Sequence, residues 1–313
     1  MLNSVRNALF QKSKKAVCTV TELLLGMKAS PTSTEKAMIE QPYSARGLRF
    51  GREAKFSNID QSADKNPLPM NPLLSYFESY REGAGIWKCI HYFDVYHRHF
   101  SRFIGRDLHL LEIGIYSGGS LAMWQAYFGE HAHIYGVDIN EACKVYEDGR
   151  TKVFIGDQAD RSLWAEVRKA APLLDIVIDD GGHLPEQQVV TLEEMLPHIR
   201  PGGVYLCEDI HGQSNGFAAY VQGLTDNLND FIPEPGENRD GPALHSIPST
   251  FQGAINSIYL YPFATVIEKC DRPVDEFVAP KHGTQWQPRS FWDAADAASA
   301  RSILSDSADR TGG

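Results

Sequence analysis

From Asp107 onward, short apolar runs alternate with stretches whose apolar positions recur at helical spacing. The runs are LHLLEIG, HIYGVDI, KVFIG, LDIVIDD and GVYLCED; between them stand SLAMWQAYFGE, RSLWAEVRKAA and PEQQVVTLEEMLPHI. Several runs are nearly continuous in Val, Ile, Leu and aromatics, as strands buried on both faces should be. The alternation predicts a parallel sheet with right-handed crossovers. Further on, SIYLYPFATVIEK predicts two adjacent strands cornered at Pro262. So short a connection joins only antiparallel neighbours. The expected fold is α/β: a seven-stranded, mostly parallel sheet, its last strand antiparallel, with helices on both faces.

Composition bounds this picture. The chain has 313 residues, 42% hydrophobic and 22% charged, enough for a sizeable core. Its net charge of −10 disfavours a dedicated nucleic-acid binder. No run of eighteen apolar residues occurs, so no integral membrane span is expected. Five scattered cysteines without a CxxC pair fit a reducing, cytoplasmic setting.

The charge is uneven. Residues 1–30 hold Arg6, Lys12, Lys14, Lys15 and Lys28 against Glu22 alone. They read as a basic amphipathic helix, either packed on the main domain or a partner chain, or acting as a transit peptide or membrane-surface helix. Residues 29–72 are polar and Pro-interrupted and read as an extended arm. The expected division is a basic helix and arm over 1–82, one folded domain over 83–292, and a flexible tail over 293–313. Association into a homo-oligomer stays open.

The first strand runs into a glycine turn, LEIGIYSGGS, carrying Glu112, Gly114 and Ser120. Glycines there permit a tight turn and close approach of a ligand. The spacing is GxxxGG, not the pyrophosphate fingerprint GxGxxG. Asp138 ends the second strand, where an acid can accept both ribose hydroxyls. Asp157 ends the third, and it or Gln158 can reach an adenine edge; equally, Asp157 can cap the helix that follows.

The fourth and fifth strands end DIVIDDGGH and GVYLCED, so Asp179, Asp180, Glu208 and Asp209 converge on one rim. Four carboxylates in a small volume repel unless a cation or a proton relieves them. Oxygen-only ligands select a hard divalent ion such as Mg²⁺. His183 follows three residues after Asp180, and imidazole is the side chain suited to proton transfer near neutrality. Helix capping by either Asp with a surface His is the plainer reading; two acidic pairs plus His183 favour a site.

LEIGIYSGGS, IYGVDIN, FIGDQAD, DIVIDDGGH and RPGGVYLCED, in this order, resemble class I S-adenosylmethionine-dependent methyltransferases, which have a Rossmann-like fold. The IDDGGH and CED pair is most similar to metal-dependent O-methyltransferases acting on macrolide sugars. It resembles more distantly the cephalosporin hydroxylase and rhamnosyl methyltransferase group. The resemblance covers about residues 83–270. It implies that Glu112, Gly114 and Ser120 lie along the methionine part of S-adenosyl-L-methionine, that Asp138 holds its ribose, and that Asp157 and Gln158 flank its adenine. It further implies that Asp180, Glu208 and Asp209 ligate Mg²⁺, that His183 is the general base, and that Asp179 faces the cofactor. Catechol-type relatives have Lys at the base position and Asp-Asn where Glu208-Asp209 stands, so the implied acceptor is a sugar or glycoside hydroxyl in natural-product biosynthesis rather than a simple phenol.

Tyr92, Tyr96 and Phe100 recur four residues apart in GIWKCIHYFDVYHRHF and read as a core-facing stripe. Lys88 and His91 fit a core less well and are candidates to approach cofactor or substrate. Residues 211–256 are placed to form a lid or acceptor pocket; His211 there either touches substrate or is a solvated loop residue. Two alternatives stand beside the methyltransferase. A nicotinamide-dependent reductase on a similar sheet is disfavoured by the glycine spacing and by the absence of a Tyr with Lys four residues on. A binding protein that kept the fold and lost the chemistry is disfavoured by the intact acids.

Overall fold

The computed structural model describes residues 44–54, 70–212, 215–230, 243–280 and 282–283. The basic helix expected over 1–30 and the tail expected over 293–313 lie outside them. The chain divides into two compact units, Met1–Leu68 and Pro69–Gly313. In the first, residues 44–53 are helical and exposed, inside the stretch expected to be an extended arm. Ala45, Arg46, Leu48, Arg49, Arg52 and Glu53 are good helix formers, which the polar, Pro-bounded context obscured.

The second unit holds the sheet. Its strands are β1 (Leu108–Ile113), β2 (Ala132–Asp138), β3 (Thr151–Ile155), β4 (Leu174–Asp179), β5 (Ile199–Cys207), β7 (Ile255–Tyr261) and β8 (Ala264–Lys269). They lie in the order β3-β2-β1-β4-β5-β8-β7. The first five are parallel, and β8 runs antiparallel between β5 and β7. The turn at Pro262-Phe263 makes that reversal, with Phe263 at φ +62°. A two-stranded ribbon pairs β6 (Ala243–Ser246) with β9 (Phe277–Pro280), which the hydrophobic pattern did not announce.

Alternation along the strands splits the core in two. Leu108, Leu110, Ile176, Ile178, Val204, Leu206 and Val266 face one way. There they meet α1 (Pro72–Ser79), α2 (Tyr92–Phe100) and α3 (Gly119–Phe128). Leu111, Ile113, Val177, Tyr205, Cys207 and Ile267 face the other way. They meet α4 (Arg161–Ala170), α5 (Pro185–Met195) and α6 (Gly216–Leu228). Helices thus cover both faces. A short α7 (Thr250–Ala254), opened by a Ser249–Gln252 capping box, leads into β7. α6 buries Phe217 and Val221 in the second core, so this part of the 211–256 stretch is a packed helix.

On the α2 side, Glu268 of β8 meets His99 at 2.8 Å and Arg102 at 2.9 Å. The His99 hydrogen bond, with Arg102 adding to it, holds the Glu268 carboxyl below its usual range against the opposing effect of burial. A depressed folded value means that this carboxylate stabilises the fold above its unfolded pKa and loses that contribution as the pH falls. Glu268→Gln is therefore expected to flatten the loss of stability between pH 7 and pH 4, read from urea midpoints at both values.

Candidate active site

The carboxyl ends of β1 to β5 open onto one cleft of about 560 Å³, a size suited to a nucleotide-like ligand. One wall is the turn after β1. Gly114 has φ +89°, and a Cβ there would lie 2.0 Å from the carbonyl oxygen of Asp180. Only glycine lets the β1 turn and the β4 end touch. Gly114→Ala adds a left-handed penalty of about 1–2 kcal/mol to that backbone overlap. The expected loss is about 3 kcal/mol in total, measured by chemical denaturation. The carboxylate of Asp138 accepts from the amides of Ile115 and Tyr116, both at 2.9 Å, and of Asn140 at 2.8 Å. It therefore also organises the turn.

At the third strand end, Gln158 is buried and fully engaged. Its amide donates to Asp179 at 3.0 Å and to Thr191 at 3.1 Å, and its oxygen accepts from the Gly182 amide at 2.7 Å. Asp157 is exposed and accepts from Ala159 at 2.9 Å and Gln187 at 3.3 Å. The cap of α4 is Asp160, which accepts from Ser162; Asp157 does not cap that helix.

The acids at the rim part ways according to the side on which they emerge. Asp180, His183 and Asp209 offer ligand atoms that all lie within 4.8 Å of one another. His183 Nε2 is 3.7 Å from Asp209 Oδ2, and His211 Nε2 is 3.8 Å from Asp209 Oδ1. His183 and Asp209 have φ of +56° and +54°, a conformation uncommon outside glycine. Glu208 is not in that group. It turns inward, where Lys88 Nζ lies 3.3 Å from both its oxygens and the Tyr96 hydroxyl donates to it at 2.7 Å.

Lys88 is the residue the sequence placed only loosely. It is buried, with Nζ 2.5 Å from Asp180, 3.3 Å from Glu208 and 3.5 Å from Glu112. Burial works against its charge, but Glu208, Asp180 and Glu112 together hold its pKa well above the usual range. Burial, with repulsion from Asp180 and Glu112, pushes Glu208 up to about 8 even beside Lys88. Burial likewise lifts Asp179 to about 6.

Of the residues picked out from sequence, Gly114, Ser120, Asp138, Asp157 and Gln158 line the cleft, as do Asp180, His183, Glu208 and Asp209. Glu112 and Asp179 do not. Glu112 is wholly buried, accepting from Ser120 at 2.7 Å beside Lys88. Asp179, expected to face the cofactor, points inward to Gln158 and to the Tyr205 hydroxyl at 3.2 Å. A strand alternates its side chains, so Asp179 and Asp180 emerge on opposite sides. Tyr92 and Tyr96 are core residues as expected, yet each carries a hydroxyl to the rim. The Tyr92 hydroxyl donates to Asp209 at 2.8 Å. His91 approaches the Pro262 carbonyl oxygen at 2.9 Å.

Residues 111–210 match a family described as a methyltransferase domain. The chain is 37% identical over 132 residues to demethylmacrocin O-methyltransferase of Streptomyces fradiae, covering 40% of this chain and 33% of that protein. It is 34% identical over 137 residues to 8-demethyl-8-alpha-L-rhamnosyl tetracenomycin-C 2'-O-methyltransferase of Streptomyces olivaceus, covering 42% and 36%. The chain thus spans about a third of the length of these relatives. Its fold is similar to that of the MycE methyltransferase from the mycinamycin biosynthetic pathway, solved in complex with Mg, SAH and mycinamycin VI. The TM-score is 0.52 at 24% identity, over 73% of this chain and 58% of that one.

Proposed function

We infer that this chain, whose residues 111–210 are a methyltransferase domain, moves a methyl group from S-adenosyl-L-methionine to a hydroxyl of a sugar or glycosylated natural product. The observation that carries this reading is one cleft lined by two groups. The Gly114 turn and Asp138 line it, and so do Asp180, His183 and Asp209, whose ligand atoms come together there. Two relatives support the same acceptor class: both are named O-methyltransferases, one of demethylmacrocin and one of a rhamnosyl tetracenomycin-C.

The residues present fit both implied groups. Gln187, in the cleft wall, has a buried Oε1 without a hydrogen-bond partner among the described residues, suited to an exocyclic amine donor. Asp180 and Asp209 are hard oxygen donors of the kind Mg²⁺ takes. Imidazole is a poor Mg²⁺ ligand, so His183 is assigned as the base, and Glu208 stands behind the pair, held by Lys88 and the Tyr96 hydroxyl.

When bound, Mg²⁺ supplies Lewis acidity toward the acceptor hydroxyl and S-adenosyl-L-methionine an electrophilic methyl, whose S–C bond breaks as the new C–O bond forms. His183 takes the hydroxyl proton on its ring. The Asp209 carboxylate, 3.7 Å from His183 Nε2, offsets the charge that results. The turn at Gly114 and the Asp138 carboxylate fix the cofactor, so acceptor and methyl meet in one orientation.

A methyl-transfer screen over glycosides and catechols, run with Mg²⁺ and with chelator, tests the reading. Methylated glycosides are expected with Mg²⁺, lost on chelation and restored by added Mg²⁺. Transfer that survives full chelation refutes the metal. Binding of NADPH in place of S-adenosyl-L-methionine refutes the reaction class.

A further inference from the structure

The amino ends of β1 and β2 carry a second group of side chains with ligand chemistry. It lies at the opposite edge of the sheet from the cleft. Asp107 precedes β1, His109 is its second residue, and His133 is the register partner of His109 on β2. The two imidazoles stack, with ring centroids 4.8 Å apart and planes at 13°. Asp107 Oδ1 is 3.4 Å from His133 Nε2. The ligand atoms of the three residues all lie within 4.8 Å of one another.

We propose that Asp107, His109 and His133 form a site for a zinc-class divalent ion, unrelated to methyl transfer. Two imidazoles and one carboxylate are a donor set for zinc and its late first-row neighbours, and a poor one for Mg²⁺. The donor set thus separates this site from the cleft acids, where oxygen dominates. His109 Nδ1 shares a hydrogen bond with the Tyr135 hydroxyl at 3.2 Å. That contact fixes the ring and leaves Nε2 for a metal, the arrangement by which an outer partner orients a metal-bound histidine. Tyr135 stands two residues after His133 on β2 and therefore on the same face.

Tetrahedral zinc needs its ligand atoms about 3.3 Å apart at bond lengths of about 2.0–2.1 Å. Asp107 and His133 already stand near that spacing, and their side chains, 79% and 49% exposed, are free to close further. The remaining position is open to water.

The site ties β1 to β2 where both strands begin. About 16 Å along the same strands lie the Gly114 turn and Asp138, at a rise of about 3.3 Å per residue. Its role is structural, a clasp between two strands, and its occupancy does not depend on the methyltransferase reading.

The test uses the untagged full chain, stripped of metal and titrated with Zn²⁺ against a chromophoric chelator, with Co²⁺ as a visible probe of coordination. Wild type is expected to bind Zn²⁺ at this site with Mg²⁺ in excess. His133→Ala, at an exposed position that leaves the core intact, should weaken that binding at least about tenfold. Asp209→Asn, at the cleft, should leave it unchanged. Tyr135→Phe should weaken it several-fold without loss of stoichiometry. Zn²⁺ should raise the melting temperature of wild type and not of His133→Ala. Equal zinc stoichiometry and affinity in wild type and His133→Ala overturns the proposal. So does a wild type that takes up no zinc at micromolar concentration.

Discussion

Lys88→Met is expected to lower the stability of the folded chain by about 3–5 kcal/mol, the usual cost of removing one partner from a buried ion pair. Methionine keeps most of the side-chain volume, so the change isolates the charge. What remains is Glu112, Asp180 and Glu208 in one small volume, two of them fully buried, with no ammonium between them. Guanidinium midpoints at constant m value measure the loss. A second change separates charge from packing. In the Lys88→Met background, Glu208→Gln should recover part of the loss, because it removes one of the buried acids left without a cation. A Lys88→Met variant within 1 kcal/mol of wild type would show that the acids are already protonated or reach water.

His183→Ala is expected to cut turnover by about 10²- to 10⁴-fold, the range contributed by a positioned general base. The side chain is 40% exposed, so stability should change little. Binding of S-adenosyl-L-methionine should be nearly unaffected, because the Gly114 turn and the Asp138 carboxylate, which organise the proposed cofactor site, are held by backbone contacts that do not involve His183. Mg²⁺ affinity decides between two roles. His183 lies within reach of both Asp180 and Asp209, so a ligand role would make the ion bind more weakly in the variant. Calorimetry that finds Mg²⁺ affinity retained and turnover lost supports the base. Retained turnover sinks it.

The sheet was legible because each parallel strand is a nearly unbroken apolar run closed by a polar residue. That pattern marked the ends at Asp138 and Asp179, and placed the end of β5 within CED, where it falls at Cys207. The antiparallel return was legible from two residues, Pro262 and Phe263, too few to cross over. The acids at the rim followed from strand direction alone. What each acid touches did not follow. Lys88 reaches Asp180 across 92 residues and Glu208 across 120, and no local pattern announces a contact that distant. Asp179 and Asp180 are neighbours on a pleat, and the sequence separates them, Asp180 toward the ion and Asp179 toward the cofactor; that Asp179 instead turns to Gln158 and Tyr205 depends on contacts 21 and 26 residues away. The ribbon of β6 and β9 was invisible because its strands are four residues each and border stretches without periodicity.

Gln158 joins three separate elements through one side chain: the end of β3, the turn after β4, and Thr191 on α5. The Gly182 amide, whose proton is held by Gln158 Oε1, therefore senses events at the end of β3 from a loop on the next element but two of the sheet. In an isotope-labelled sample that single amide becomes a reporter. Its chemical shift and its rate of exchange with deuterated solvent would register arrival at the cleft even where the ligand itself is silent.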